Sequence, residues 1–176
     1  MTEPSPLPPA PLDRSSLLSL LGERYDVATL DHPAVFTVAE SSKIHRELPG
    51  GHTKNLFLKD KKGSYFLVTA DQETDVDLKN LHKRIGAQGR LSFGKADAME
   101  EMLGVAPGSV TAFAVVNDRG GAVRFVLDRN LMRHDTINCH PLTNEATTNI
   151  GRDDLVDFAR LCDHDPLVAD LEAGDD

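Results

Sequence analysis

Three short segments carry the residue types and spacings that could do chemistry. The first is Gly50-Gly51-His52-Thr53 followed by Lys54-Asn55-Leu56-Phe57-Leu58. In an alternating strand Lys54, Leu56 and Leu58 share one face. A lysine among leucines either snorkels at a sheet edge or aims its ammonium into a pocket. The second is Gly104-Val105-Ala106-Pro107-Gly108-Ser109-Val110. A Gly/Pro-rich loop between a helix and a strand is either an ordinary connection or a set of free backbone N–H groups that can grip an oxyanion. The third is His140-Pro141, followed by Asn144 and Thr147. It reads as a strand end, a turn and a new strand, with His140 either hydrogen-bonded in the structure or facing a ligand.

Other chemistries find no support. No serine sits in a G-x-S-x-G elbow. Cys139 lies beside His140, but adjacent strand residues point to opposite faces, so the two cannot pair directly. Cys139 is expected in the core. The seven histidines show no H-x-x-x-H spacing, so no metal site is expected. There is no Walker A loop and no dinucleotide fingerprint, and no cofactor is expected.

The elements that must position these segments alternate irregularly. Asp13 or Ser15 can cap a helix whose apolar face is Leu17, Leu18, Leu20 and Leu21. Val27 to Leu30 reads as a short strand. Thr37-Val38-Ala39-Glu40 has the form of a capping box and predicts a helix ending near Leu48, before Pro49-Gly50-Gly51. Lys54 to Lys59 and Ser64 to Thr69 predict a hairpin around a Lys/Asp/Gly turn. Helices are expected over Leu78 to Ile85 and Asp97 to Leu103. A second hairpin is expected from Val110 to Val116 and Ala122 to Leu127. A helical turn over Asp128 to Arg133, strands over Thr136 to Pro141 and Ala146 to Ile150, and an amphipathic helix from Arg152 to Cys162 complete the pattern. The expected fold is α/β in the α+β sense: one domain with a mixed, mainly antiparallel sheet flanked by helices.

The chain has 176 residues and a net charge of −9. That length buries a core without a disulfide or metal staple, and the two cysteines allow no disulfide framework. Residues 1–11, with five prolines, read as a flexible leader; 12–165 is the domain; 166–176 is an acidic tail. No apolar run approaches the ~20 residues that span a bilayer, and no secretion signal is evident, so a cytoplasmic protein is expected. The acidity is uneven. Asp153 to Asp176 holds 9 acidic residues and 1 basic one, whereas Lys43 to Lys95 holds 11 basic and 6 acidic. A locally positive region can attract phosphate beside an acidic tail, because exposed charges are screened beyond about 10 Å.

In this order and spacing the segments resemble the YbaK/ProX family of free-standing aminoacyl-tRNA deacylases, most of all its alanyl-tRNA(Pro) deacylase branch. The resemblance runs from about Ser15 to Leu161. It includes Asp31-His32-Pro33-Ala34-Val35-Phe36-Thr37, the Lys54 to Leu58 strand with its Lys-rich turn, the Gly104 to Val110 loop, Asn117-Asp118, and His140-Pro141 to Thr147. Thr111-Ala112-Phe113-Ala114 departs from the T-P-F-G that often follows the Gly-Ser loop in related sequences. The Lys-Asn-Leu-Phe-Leu strand favours the alanine branch over the sibling that clears cysteine.

The resemblance implies hydrolysis of the ester that joins a wrong amino acid, here alanine, to tRNA(Pro). It implies Lys54 as the group that stabilises developing negative charge, helped by backbone N–H groups at Gly108 and Ser109. It places Asn55 and His140 in the pocket and makes Thr37 and Val38 limits on side-chain size. Lys59, Lys61 and Lys62 are expected to touch tRNA phosphates. The implied partners are the tRNA(Pro) acceptor end and, transiently, prolyl-tRNA synthetase. No membrane partner is expected, and a monomer is expected because no long exposed apolar face is evident. The alternatives are a deacylase for cysteinyl- or seryl-tRNA and a non-catalytic tRNA- or synthetase-binding module of the same fold.

Overall fold

The computed structural model describes residues 7–34 and 38–172. Helix α1 (Arg14–Arg24) opens with Asp13 as N-cap: the Asp13 carboxylate accepts from the Ser16 N–H at 2.9 Å, and the Ser16 hydroxyl accepts in turn from the Asp13 N–H. Leu17, Leu20 and Leu21 are its buried face. Strand β1 (Ala28–Asp31) and helix α2 (Val38–Glu47) follow, then the long β2 (Gly51–Lys59) and β3 (Tyr65–Asp71). Beyond them come α3 (Leu81–Ile85), β4 (Ser92–Phe93), α4 (Ala96–Leu103), β5 (Val123–Asp128), β6 (Thr136–Cys139), β7 (Ala146–Gly151), α5 (Arg152–Leu161) and β8 (Leu167–Ala169).

The strands lie in the order β1-β7-β6-β2-β3-β5-β8, with β4 against β2. The β1–β7, β2–β3, β2–β4 and β6–β7 pairs are antiparallel. The β2–β6, β3–β5 and β5–β8 pairs are parallel. The sheet is thus mixed, with helices outside it, as expected.

Apolar residues fill both faces. One cluster joins Phe57, Leu67 and Phe125 of the sheet to α1, α4 and α5, with Phe113 and Phe158 meeting edge to face at 5.5 Å. The other joins Leu58, Phe66 and Val68 to Leu81 and Ile85 of α3 and to Leu171.

Two expectations about elements are corrected. The hairpin of Val110 to Val116 with Ala122 to Leu127 does not form. Ala112–Asn117 is a 3-10 helix, started by Thr111, whose hydroxyl accepts from the Phe113 N–H at 3.3 Å. Ala112 to Val116 are all buried. A short run buried all round has no period that separates strand from helix. The edges of β5 go instead to β3 and β8, both parallel. The second correction lies after Arg160. Residues 167–169, expected in the tail, form β8, and Leu171 is fully buried. Three residues are too few to show an alternation, and the acidic residues around them mask the strand.

The leader also has fixed contacts. The Arg119 guanidinium donates to the Pro8 carbonyl, and the Leu12 N–H donates to Asn117 Oδ1 at 2.7 Å. Among the described residues no helix is long and apolar enough to cross a membrane.

Candidate active site

Strand β2 is where the sheet divides. Its first residues pair with β6, Gly51 with Ile137 and His52 with Asn138. Its last residues pair on that edge with β4, Leu58 with Phe93 and Lys59 with Ser92. Between them Lys54, Asn55 and Leu56 pair with β3 alone. A gap between diverging neighbours at the end of a strand pair is where α/β sheets commonly place ligands.

Lys54 stands at the start of this gap, half-buried, and its ammonium donates to the Thr74 carbonyl. An ammonium has three donors, so this bond fixes the group without consuming it. The acceptor is itself braced. Asp128, fully buried, takes the Asp71 N–H at 2.9 Å and the Thr74 hydroxyl on one oxygen, and the Asn130 N–H at 3.0 Å on the other. Asn130 Nδ2 donates to the Thr74 hydroxyl at 2.9 Å. Sequence reasoning missed Thr74 and Asp128. The signal available was an acidic residue at the end of an apolar strand, immediately before Arg129-Asn130, a setting in which a carboxylate caps the following turn.

Asn138 Nδ2 is 3.3 Å from His52 Nε2, so Asn138 and His52 share a side of the sheet. His140 follows just beyond the end of β6, past the last β2–β6 pair, while Lys54 continues along β2. His140 Nδ1 donates to the Ala146 carbonyl at 2.9 Å, because a carbonyl can only accept. Burial holds the His140 pKa below the usual histidine value, so the ring is neutral at pH 7. A neutral ring with hydrogen on Nδ1 presents Nε2 as an acceptor. His32 sits beside it, ring centroids 6.4 Å apart, and His32 Nε2 is 2.8 Å from the Thr147 hydroxyl.

Polar side chains tie α2 to this face. Asn138 and Asn149 both donate to the Pro49 carbonyl, at 3.2 and 2.9 Å, and Asn149 also donates to Asn138 Oδ1. Gly51 has no room for a side chain: a Cβ there would lie 2.6 Å from the His134 ring. These contacts fix the Pro49-Gly50-Gly51 turn that carries the chain from α2 into β2.

The other expected site residues fall as follows. Gly108, at φ +92°, lies beside the β6–β7 turn, where a Cβ would stand 3.8 Å from Asn144 Nδ2. The Ser109 N–H is committed to the Ala106 carbonyl at 3.0 Å. It cannot also serve an oxyanion, so the expected pair of donors narrows to the Gly108 amide. Asn55 projects from the face opposite Lys54, alongside Phe57, and its Oδ1 accepts from the Thr69 hydroxyl at 2.6 Å. The structure therefore does not bring the Asn55 side chain to Lys54, because strand neighbours alternate. Val38 opens α2, and Thr37 lies outside the described residues. Lys59, Lys61 and Lys62 are exposed around the β2–β3 turn, with Lys59 Nζ 5.6 Å from the Tyr65 ring centre. Cys139 is buried, its pKa pushed up to about 12 by burial against a bond to Thr53. It is a core residue and no nucleophile. Among the described residues no group of three or more metal-ligating side chains gathers.

The sequence profile of the aminoacyl-tRNA editing domain family matches residues 32–158, and the chain belongs to that family. It is 38% identical over 159 residues to a prolyl-tRNA synthetase associated domain-containing protein 1 from Bos taurus, covering 88% of this chain and 91% of that one. It is 35% identical over 144 residues to the prolyl-tRNA editing protein ProX of Acetoanaerobium sticklandii, covering 81% and 87%. Among solved structures, one described as a candidate trans-editing enzyme for prolyl-tRNA synthetase superimposes with a TM-score of 0.70 at 19% identity, covering 94% of this chain and 100% of that one. That likeness is one of fold.

Proposed function

We propose that this chain is a trans-editing deacylase that hydrolyses alanyl-tRNA(Pro) and spares prolyl-tRNA(Pro). The observation that carries the reading is the Lys54 ammonium, held on the Thr74 carbonyl where β2 loses its neighbour on the β6 side. The likeness to ProX and to the synthetase-associated proteins supports proline tRNA as the carrier.

A synthetase pocket built for proline excludes a smaller apolar side chain weakly, since each missing methylene is worth only about 1–3 kcal/mol. A second pocket that admits alanine and collides with proline removes the error. The ester is already activated, so orientation and charge stabilisation suffice for its hydrolysis. Water attacks the ester carbonyl, with the neighbouring ribose hydroxyl as its activator. The oxyanion that forms is met by Lys54 and by the Gly108 amide, and the ribose oxygen leaves with a proton. His140 Nε2 accepts from the alanyl ammonium, Val38 and Thr37 bound the side-chain space, and Lys59, Lys61 and Lys62 meet backbone phosphates.

The test is a panel of tRNAs charged with alanine, proline, serine and cysteine. Alanine is expected to be released and proline retained, and Lys54→Ala is expected to lower the rate at least 100-fold. Preferential release of serine or cysteine moves the substrate, and tRNA binding with no release of any amino acid makes the chain a binding module. Unchanged turnover by Lys54→Ala removes the lysine from the mechanism.

A further inference from the structure

The turn at the far end of β2 brings together two stretches of chain that are distant in sequence. Asp60 joins them. Its carboxylate accepts from the Lys62 and Ser64 N–H groups within the turn and from the Gln88 N–H across it, each at 2.9 Å, and the Lys61 N–H donates to the Gln88 carbonyl. These donors, led by the Gln88 N–H, hold the Asp60 pKa below the usual carboxylate value. Residues 59–62 and 88–95 contain five cations, Lys59, Lys61, Lys62, Arg90 and Lys95, and one acid, Asp60. The five cations are exposed and, among the described residues, none forms an ion pair. The acid is turned inward, 5% exposed.

Phe93 lies in the second of these stretches. It pairs with Leu58 in register, yet it is 63% exposed, more than any other large apolar residue in the described structure. A lone exposed phenylalanine is unremarked on most surfaces. With Arg90 and Lys95 three and two residues away in the chain and the lysine-bearing turn at the end of the strand it pairs with, it has the composition of a single-strand binding platform: positive charge for the backbone and an aromatic face for a base. A protein partner would need acidic charge around an apolar knob. A nucleic-acid strand supplies both complements in every nucleotide. The distance also fits. Phe93 pairs with Leu58, which is four residues from Lys54 on the same face of β2, about 13 Å at 3.3 Å per residue. That is about four stacked nucleotides at 3.4 Å each, and fewer in an extended strand.

We infer that Phe93 stacks on an unpaired nucleotide of the RNA whose aminoacylated 3′ end lies at Lys54, with Arg90 and Lys95 on the adjoining phosphates. This inference rests on the deacylase reading for its substrate and adds the residue that holds the strand. The experiment compares wild type, Phe93→Ala and Phe93→Trp on alanyl-tRNA(Pro) and on 3′-O-alanyladenosine, which has no strand to stack. Phe93→Ala is expected to raise KM for the charged tRNA about tenfold, leaving kcat and all kinetics on alanyladenosine unchanged. Phe93→Trp is expected to restore KM. An unchanged KM in Phe93→Ala, an equal loss on both substrates, or no rescue by tryptophan overturns the inference. Binding of an uncharged RNA hairpin with a single-stranded 3′ overhang, followed by fluorescence anisotropy, separates the two readings. If wild type hydrolyses neither ester, the deacylase reading falls, and weaker hairpin binding by Phe93→Ala alone still upholds the stacking role. Equal binding by all three proteins ends it.

Discussion

At the scale of single residues the site depends on how Lys54 is held. A free lysine side chain loses up to about 2 kcal/mol of rotamer entropy when ordered, and the Thr74 carbonyl meets that cost before substrate arrives. Thr74 is in turn fixed by Asp128, which is fully buried. Asp128→Asn keeps the size and one acceptor but loses the carboxylate that receives three bonds. The expected result is a kcat about 10-fold lower with KM for tRNA unchanged, measured with alanyl-tRNA(Pro). Unchanged kcat in a variant that is folded by circular dichroism would show that the lysine needs no brace. Of the residues at this scale, Lys54 and His140 stood out in the sequence only through the family resemblance, since strand context alone left an edge lysine and a hydrogen-bonded histidine open. Asp128 and Thr74 did not stand out, since they act through hydrogen bonds between segments more than 50 residues apart.

At the scale of elements, sequence periodicity served where one face is wet and failed where none is. Helix α1 with its Asp13 cap and α5 have a polar side to contrast with an apolar one, whereas β3, buried on both faces, is marked by the Lys/Asp/Gly turn that joins it to β2. The 3-10 helix Ala112–Asn117 is buried nearly throughout and offers no contrast. What holds it in place is Asn117, whose side chain takes the Leu12 N–H at 2.7 Å and donates to the Leu103 carbonyl at 3.0 Å. One amide thus joins the entry of α1, the end of α4 and the loop that leads to Gly108. Asn117→Ala leaves a buried N–H and a buried carbonyl without partners, each costing about 1–3 kcal/mol. Chemical denaturation is expected to show a loss of about 2 kcal/mol. Hydrogen exchange is expected to rise in residues 7–13 and 104–110 together. A loss confined to one of the two segments would show that Asn117 does not couple them.

At the scale of the whole molecule, an acidic chain encloses a buried charged pair that ties its C-terminal part to its centre. His164 Nε2 lies 3.0 Å from Asp118 Oδ2, and both side chains are almost fully buried, at 4% and 6% exposed. Asp118 also accepts from the Ala122 and Val123 N–H groups, and His164 Nδ1 is 2.7 Å from the Cys162 carbonyl. Burial alone would drive the histidine to its neutral form. The bonds to Asp118 and to the Cys162 carbonyl outweigh that and raise its pKa above the usual value. Burial likewise opposes the Asp118 charge, but the His164 bond and the two backbone donors bring its pKa below 3.8. The signs then follow from linkage. Stability from the raised His164 is present in full below the unfolded-state value of about 6.5 and is lost as pH rises through the folded value. Stability from the lowered Asp118 is present above about 3.9 and is lost as pH falls through its folded value. The pair therefore contributes most between those limits, on the acid side of neutrality. Asp118→Asn removes one charge and leaves the other buried, a change that typically costs about 3–5 kcal/mol. Urea denaturation across pH 5 to 9 is expected to show wild-type stability declining as pH rises above about 6.5 and the variant, less stable throughout, without that decline. Parallel curves for the two proteins would mean that this pair does not titrate with folding and that the alkaline limit of the molecule is set elsewhere.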